Sequence, residues 1–169
     1  MSTTPPDQEL RDSFVEANRL LHRRQADFYQ QTSDRQAALR AALAPEAGAW
    51  QQSTAFTYLK GFHHDVIPLL PDLFRWAVKS ERWAGPAREI IARIPSDQRI
   101  PLLEPLFLDH LAAAEDDDYP NLGSLAARCE AWSLLERLVQ QAETHASPDV
   151  REVIEHYNQT YSPMWQHKA

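Results

Sequence analysis

The sequence predicts an all-α fold of about seven helices, arranged as stacked helical hairpins in the manner of an α-solenoid. No segment keeps the alternation of apolar and polar residues that marks a β-strand. Only four of the 169 residues are glycines, which leaves few positions for tight hairpins. Residues 67–74 (IPLLPDLF) and 100–107 (IPLLEPLF) are two copies of one motif. We expect one domain over residues 1–169, with N-terminal helices in 1–60 and repeat-like helical pairs in 63–160.

The N-terminal helices follow from apolar spacing and from stop signals. Residues 7–30 place one apolar stripe on a helix, at Leu10, Phe14, Ala17, Leu21 and Phe28. A second helix follows Asp34, which supplies a cap, and ends at Pro45. Residues 49–60 are ambiguous, because their apolar residues form only a short helical face.

From residue 63 onward the helical pattern becomes more regular. Asp65 is expected to cap a helix whose first turn tolerates proline. Ser147, Pro148 and Asp149 together form a strong helix start. The apolar spacing predicts helices over about 65–78, 86–94, 97–111 and 121–144, and a last one from 148 onward.

The two motif copies agree at six of eight positions, at a constant offset of 33 residues. Each copy opens a helix, and a connector and a second helix follow, which is the sequence sign of a helical repeat. Leucine-rich helices match one another easily by chance, but the shared proline and the shared order of elements favour a true repeat. The prolines suit HEAT-type repeats, although a period of 33 is short for that class.

Three stretches carry a family resemblance: Ile67-Pro68-Leu69-Leu70, Trp83 shortly before Pro86 and an isoleucine-rich helix, and Asp117-Asp118-Tyr119. With them, residues 63–140 resemble a group of small HEAT-like bacterial proteins, several of which act as immunity proteins against polymorphic toxins. Two departures stand out: Ala84-Gly85 separates Trp83 from Pro86, and Tyr119 stands where a tryptophan is expected. The resemblance implies a HEAT-like scaffold and a toxin as partner.

Charge is spread unevenly along the chain. Residues 1–99 carry 13 Lys/Arg and 12 Asp/Glu, a balance of +1, whereas residues 100–169 carry 4 and 12, a balance of −8. Nucleic-acid sites need Lys/Arg to displace counterions, so this balance disfavours nucleic acid and favours a basic protein partner. The N-terminus lacks the basic and apolar regions of a secretory signal, and no apolar run is long enough to span a membrane. We expect a cytoplasmic protein without membrane contact.

The sequence offers no catalytic, cofactor or metal motif. No Glu-x-x-His, His-x-x-x-His or Cys-x-x-Cys occurs. His63-His64-Asp65 could supply metal ligands, but a polar helix start is the favoured interpretation. The single cysteine, Cys129, lies on an apolar helical side and is expected to act as a small buried hydrophobe.

The sequence therefore predicts a non-catalytic protein-binding module, more specifically an immunity protein that binds a toxin's basic surface through the connectors. The predicted partner-binding residues are Glu81, Arg82, Trp83, Glu115, Asp116, Asp117, Asp118 and Tyr119. A solvated connector without a partner would explain the same acidic run. One alternative is an enzyme on a HEAT-like scaffold, such as a DNA glycosylase, with a basic patch from Arg82, Arg88, Arg93 and Arg99. Another is a generic adaptor, and the oligomeric state is left open.

Overall fold

The structure, a computed structural model, describes residues 6–166, and within them every regular element is helical. The all-α prediction is therefore confirmed for this range. The first five residues, where the sequence predicts no signal peptide, lie outside it. Residues 6–166 form nine α-helices, whereas about seven were expected. They are α1 (Asp7–Gln31), α2 (Arg35–Leu43), α3 (Ala49–Gly61), α4 (Leu70–Ala77), α5 (Ala84–Ala92), α6 (Ser96–Ala112), α7 (Asp118–Arg128), α8 (Trp132–Ala142) and α9 (Pro148–Gln166).

From α2 onward, helices pack mainly against near neighbours in the chain. Contacts join α2 to α3 and α4, α5 to α6 and α7, α6 to α7 and α8, and α7 to α8 and α9. One buried apolar cluster runs through these helices from Leu39 to Ile154. No helix among the described residues is both long and apolar enough to cross a bilayer.

The predicted long helix over 121–144 is wrong, because the chain breaks between α7 and α8. Glu130 has a positive φ of 49°, the left-handed conformation that ends many helices. The amides of Glu130 and Ala131 donate to Ala127 O and Ala126 O, which is the hydrogen-bond pattern of a Schellman motif. A glycine usually marks this stop, so its absence here hid the break from sequence analysis.

The two motif copies take different positions in their helices. The first spans a 3₁₀ turn, Ile67–Leu69, and the opening of α4. The second lies inside α6, four residues after its start, with Pro101 and Pro105 on the exposed side. The first copy therefore opens a helix as predicted, and the second does not. The ambiguous residues 49–60 form α3.

Asp65 does not cap a helix, contrary to the expectation. It lies in a 3₁₀ turn with no capping hydrogen bond, and its buried carboxylate accepts both Nε and Nη2 of Arg35 at 3.1 Å. The Tyr58 hydroxyl donates to the same carboxylate at 2.9 Å. Burial, together with this hydrogen bond, raises the pKa of the Tyr58 hydroxyl. These bonds satisfy a charge that would otherwise be costly to bury, and they join α2, α3 and the turn.

Candidate protein-binding site at two adjacent connectors

The connector after α4 and the connector after α6 lie side by side. Asn121, in the first turns of α7, joins them: its Nδ2 donates to Ser80 Oγ at 3.0 Å and to Asp117 O at 2.9 Å. Arg88 Nη2 donates to Asn121 Oδ1 at 3.0 Å, so both ends of the amide are engaged. Two stretches more than thirty residues apart in sequence therefore form one surface.

The second connector presents most of its acidic side chains to solvent. Glu115, Asp116 and Asp117 are exposed, whereas Asp118 is half-buried. Asp118 has a structural role, because its carboxylate accepts a hydrogen bond from the backbone N–H of Glu115 at 2.9 Å. Its second oxygen lies 3.3 Å from His110 Nε2. Glu115, Asp116 and Asp117 can therefore contact a partner without breaking the hydrogen bond that the Asp118 carboxylate makes within the connector.

Tyr119 is placed differently from the other predicted partner-binding residues. Its side chain is only 3% exposed, and its ring meets the His145 ring edge-on with centroids 4.9 Å apart. Gln141 Nε2 lies 3.5 Å from its hydroxyl. In this structure Tyr119 fastens the connector to the α8–α9 end of the molecule, and it offers no surface for a partner.

The first connector combines exposed charge with an anchored aromatic ring. Glu81 and Arg82 are exposed, while Trp83 is half-buried and stacks on Phe56 with ring centroids 4.9 Å apart. The Trp83 indole N–H donates to Gln52 Oε1 at 2.8 Å. Arg82 lies over the outer face of the indole, 4.7 Å from the ring centroid. Trp83 therefore holds the connector in place and supports Arg82 from beneath.

An open groove of about 750 Å³ lies between α2, α4 and α6 and reaches the second connector at Asp118. Its apolar lining includes Phe74, Trp76 and Leu106. Trp76 is buried and fixed, because its indole N–H donates to Leu43 O at 2.7 Å. A side chain from a partner that sits on the connectors has an adjoining apolar pocket to enter.

The charges around this groove are largely matched. Asp72 is 6% exposed and accepts Arg40 Nε at 3.1 Å and Arg75 Nη2 at 2.5 Å. On the opposite side, Asp109 and His110 line the groove beside the second connector. Two arginines thus pair with one buried acid, whereas no ion pair among the described residues joins a Lys or Arg to the exposed acids of the second connector.

Three arginines of the predicted basic patch, Arg88, Arg93 and Arg99, donate hydrogen bonds to backbone carbonyls. Arg88 Nε donates to Ala77 O at 2.7 Å, and Arg93 Nη1 donates to Lys60 O at 2.9 Å. Burial lowers the pKa of Arg88 from its ordinary value. Arg99 is only 6% exposed and cannot contribute to a surface patch. These side chains occupy carbonyls at helix C-termini, which have no intrahelical partner.

Cys129 is fully buried, as predicted, and burial raises the pKa of its thiol to about 11. The reactive thiolate form is therefore suppressed near neutral pH. Among residues 6–166, no group of three or more His, Cys, Asp and Glu side chains is placed to hold a metal ion. His63 and His64 are exposed, and Asp65 points instead to Arg35 and Tyr58.

Sequence analysis missed the residues that join the two connectors, above all Asn121 and Ser80. One signal was present: Arg88 and Asn121 stand 33 residues apart, at the spacing of the motif repeat.

The chain matches no family model, no curated protein and no solved structure. The functional case therefore depends on the geometry of the connectors and the groove.

Proposed function

We propose that this chain is a non-catalytic protein-binding module that holds a basic protein surface against the two connectors. We define the connector surface as the exposed side chains of Glu81, Arg82, Glu115, Asp116 and Asp117. The observation that carries the proposal is the Asn121 bridge, which brings the two connectors into one surface beside an apolar groove.

Charge supports a basic partner. The exposed acids of the second connector have few internal partners: among the described residues no Lys or Arg side chain pairs with them, and the His145 ring approaches Asp116 only to 3.8 Å. Such clustered acids raise the rate of encounter with a basic surface and suppress encounter with an acidic one. The groove then supplies apolar contact, since desolvated pockets carry most of the affinity in protein interfaces.

The helices that carry the connectors are best interpreted as stacked pairs. Hydrogen bonds repeatedly join residues separated by 33 positions: Trp76 to Leu43, Arg93 to Lys60, and Ser124 to Tyr157. From α2 onward, most helices contact the next helix and the next but one, and a stack of helical pairs with such contacts gives this recurrence. In such a stack, equivalent connectors of successive pairs fall on the same edge, and the Asn121 bridge between the two connectors supports this interpretation.

The most specific form of the proposal is an immunity protein that occludes a bacterial toxin in the cytoplasm. Its support is the resemblance of residues 63–140 to HEAT-like immunity proteins, together with the acidic connector surface. A toxin whose active cleft is basic, such as a nuclease, has the complementary charge. A generic adaptor would use the same surface for another basic protein.

Charge reversal tests the connector surface. We expect a toxin domain to be encoded beside this gene and to bind the chain, and we expect D116K/D117K to slow this association about tenfold at low salt. The dependence of the association rate on salt should also flatten, because fewer opposite charges remain to be screened. Stopped-flow mixing at several ionic strengths measures both effects.

A matched control separates local from global charge. E130K/E136K makes the same change in net charge at Glu130, in the α7–α8 turn, and at Glu136 in α8, which line one pocket. The length of α7 separates Glu130 from the connector by about 17 Å. This variant should associate nearly as fast as the unmodified chain. Equal slowing by both variants would mean that net charge alone acts. An unchanged rate in D116K/D117K would remove the connector surface from the interface.

A further inference from the structure

The first helix carries an apolar stripe that its own chain leaves uncovered. Leu10 is 50% exposed, Phe14 is 73% exposed and Leu21 is 42% exposed, and no residue of α1 is buried. Aromatic contacts occur only near the C-terminal end of the helix, where the Phe28 ring meets the Tyr58 ring edge-on at 5.1 Å. From Leu10 to Leu21, over about three turns, α1 therefore presents large apolar side chains to solvent.

The stripe leads into a groove between α1, α2 and α3. This groove has a volume of about 460 Å³, and Leu21 and Phe28 line its α1 side. Small side chains of α2, Ala38 and Ala42, lie opposite and permit close approach of another helix. Trp50 stands at the groove and is 86% exposed, which is unusual for so large an apolar side chain.

The two halves of α1 carry opposite charge. Residues 7–16 contain Asp7, Glu9, Asp12 and Glu16 against Arg11, a balance of −3. Residues 17–31 contain Arg19, Arg23 and Arg24 against Asp27, a balance of +2. A helix of this kind repels a parallel copy of itself and attracts an antiparallel one. Antiparallel packing also opposes the two helix dipoles.

We propose that a second copy of this chain covers the stripe, with the two α1 helices antiparallel about a two-fold axis. The stripe has the three- and four-residue steps of a coiled-coil seam, so one register follows. Leu10 faces Leu21 of the second copy, and the large Phe14 faces the small Ala17 of the second copy. At the outer ends of the seam, Asp7 meets Arg24 of the second copy.

This register is self-complementary, because each pair occurs twice about the two-fold axis. In this register the first turn of the second copy's α1, from Asp7 to Leu10, faces the groove beside Trp50. Phe14 and Trp50 alone offer about 300 Å² of apolar surface per copy. Counted twice, and together with the leucines, the contact approaches the roughly 1,200 Å² at which specific dimers begin.

Sedimentation equilibrium tests the dimer. We expect the unmodified chain to be dimeric and F14E to weaken dimerisation at least about tenfold, because a charge would enter the apolar seam. V15E is the matched control: Val15 is also exposed, but it lies about 100° around the helix from Phe14. It should stay dimeric. Neither residue is buried, so both variants should keep the circular dichroism of the unmodified chain.

A charge swap tests the register. D7R and R24D should each weaken the dimer, and the double variant D7R/R24D should restore it, because both pairs then form with reversed sign. In L10C/L21C, mild oxidation should link the two copies, whereas L10C alone should link poorly. Native Cys129 is fully buried and will not compete.

Three results would overturn the inference. The first is a chain that stays monomeric at the highest concentration reached. The second is a dimer that F14E and V15E weaken equally. The third is binding of α1 to phosphatidylglycerol vesicles by a monomeric chain, which would make the stripe a membrane contact. The inference does not depend on the connector surface, since toxin binding can be measured with F14E and the dimer can be measured without toxin.

Discussion

Replacing Arg99 by methionine should destabilise the fold strongly. The guanidinium is 6% exposed, and its Nη1 donates to Ala92 O at 2.6 Å and to Ile94 O at 2.7 Å. Its Nη2 donates to Cys129 O at 2.6 Å, across the gap between α5 and the break after α7. One side chain thus serves the C-terminal carbonyls of two helices.

The expected magnitude follows from these three bonds. A hydrogen bond from a charged donor contributes about 1.5 to 3 kcal/mol, and the variant loses three of them. The methionine variant also avoids the cost of burying a guanidinium group, whose Nε has no hydrogen-bond partner in the fold. This gain offsets part of the loss. We therefore expect a net loss of about 3 kcal/mol in the free energy of unfolding. The midpoint of thermal unfolding should fall by roughly 6 to 12 °C.

Urea unfolding followed by circular dichroism measures this loss. R93M is the control, because Arg93 is exposed and donates a single hydrogen bond, to Lys60 O. It should cost less than about 1 kcal/mol. If the free energy of unfolding of R99M lies within about 1 kcal/mol of that of the unmodified chain, the three carbonyls find other partners. The Arg99 hydrogen bonds are then not needed to hold the helix break.

Two further predictions concern buried contacts. A Cβ at Gly123 would overlap the Tyr157 ring, so the free energy of unfolding of G123A, measured in urea, should fall by about 1 to 3 kcal/mol. G85A is the control, because the space around Gly85 is open, and it should show no such fall. Equal effects of the two variants would refute this prediction. Because the pKa of the Cys129 thiol rises from 9.0 to about 11 on folding, the unfolded chain releases this proton first, and stability should fall as the pH rises between those values. C129A should show a shallower fall in urea titrations; an identical fall would contradict the assignment.

Sequence analysis located the helices where local chemistry defines them. Ser147, Pro148 and Asp149 mark the start of α9, and the structure begins that helix at Pro148. It failed at Glu130, because a left-handed Glu has no local signature and the stop depends on Arg99 from another helix. Apolar spacing alone continues through such a break.

The same limit applies to the candidate site. The acidic run after α6 and the connector after α4 are visible in the sequence, but their adjacency depends on one amide, Asn121. Tyr119 resembles an exposed aromatic when judged by its charged neighbours, yet it is buried against His145. The stripe on α1 was predicted, whereas its exposure could emerge only once the rest of the chain was in place.

Hydrogen–deuterium exchange of the chain, alone and in complex with the toxin partner that we propose, tests the connector surface most directly. Amides in residues 79–83 and 113–118 should exchange more slowly in the complex, because a bound basic surface shields both connectors together. Amides at the α7–α8 turn should be unchanged. Protection confined to that turn, or to α9, with both connectors exchanging freely, would contradict the proposed mode of binding.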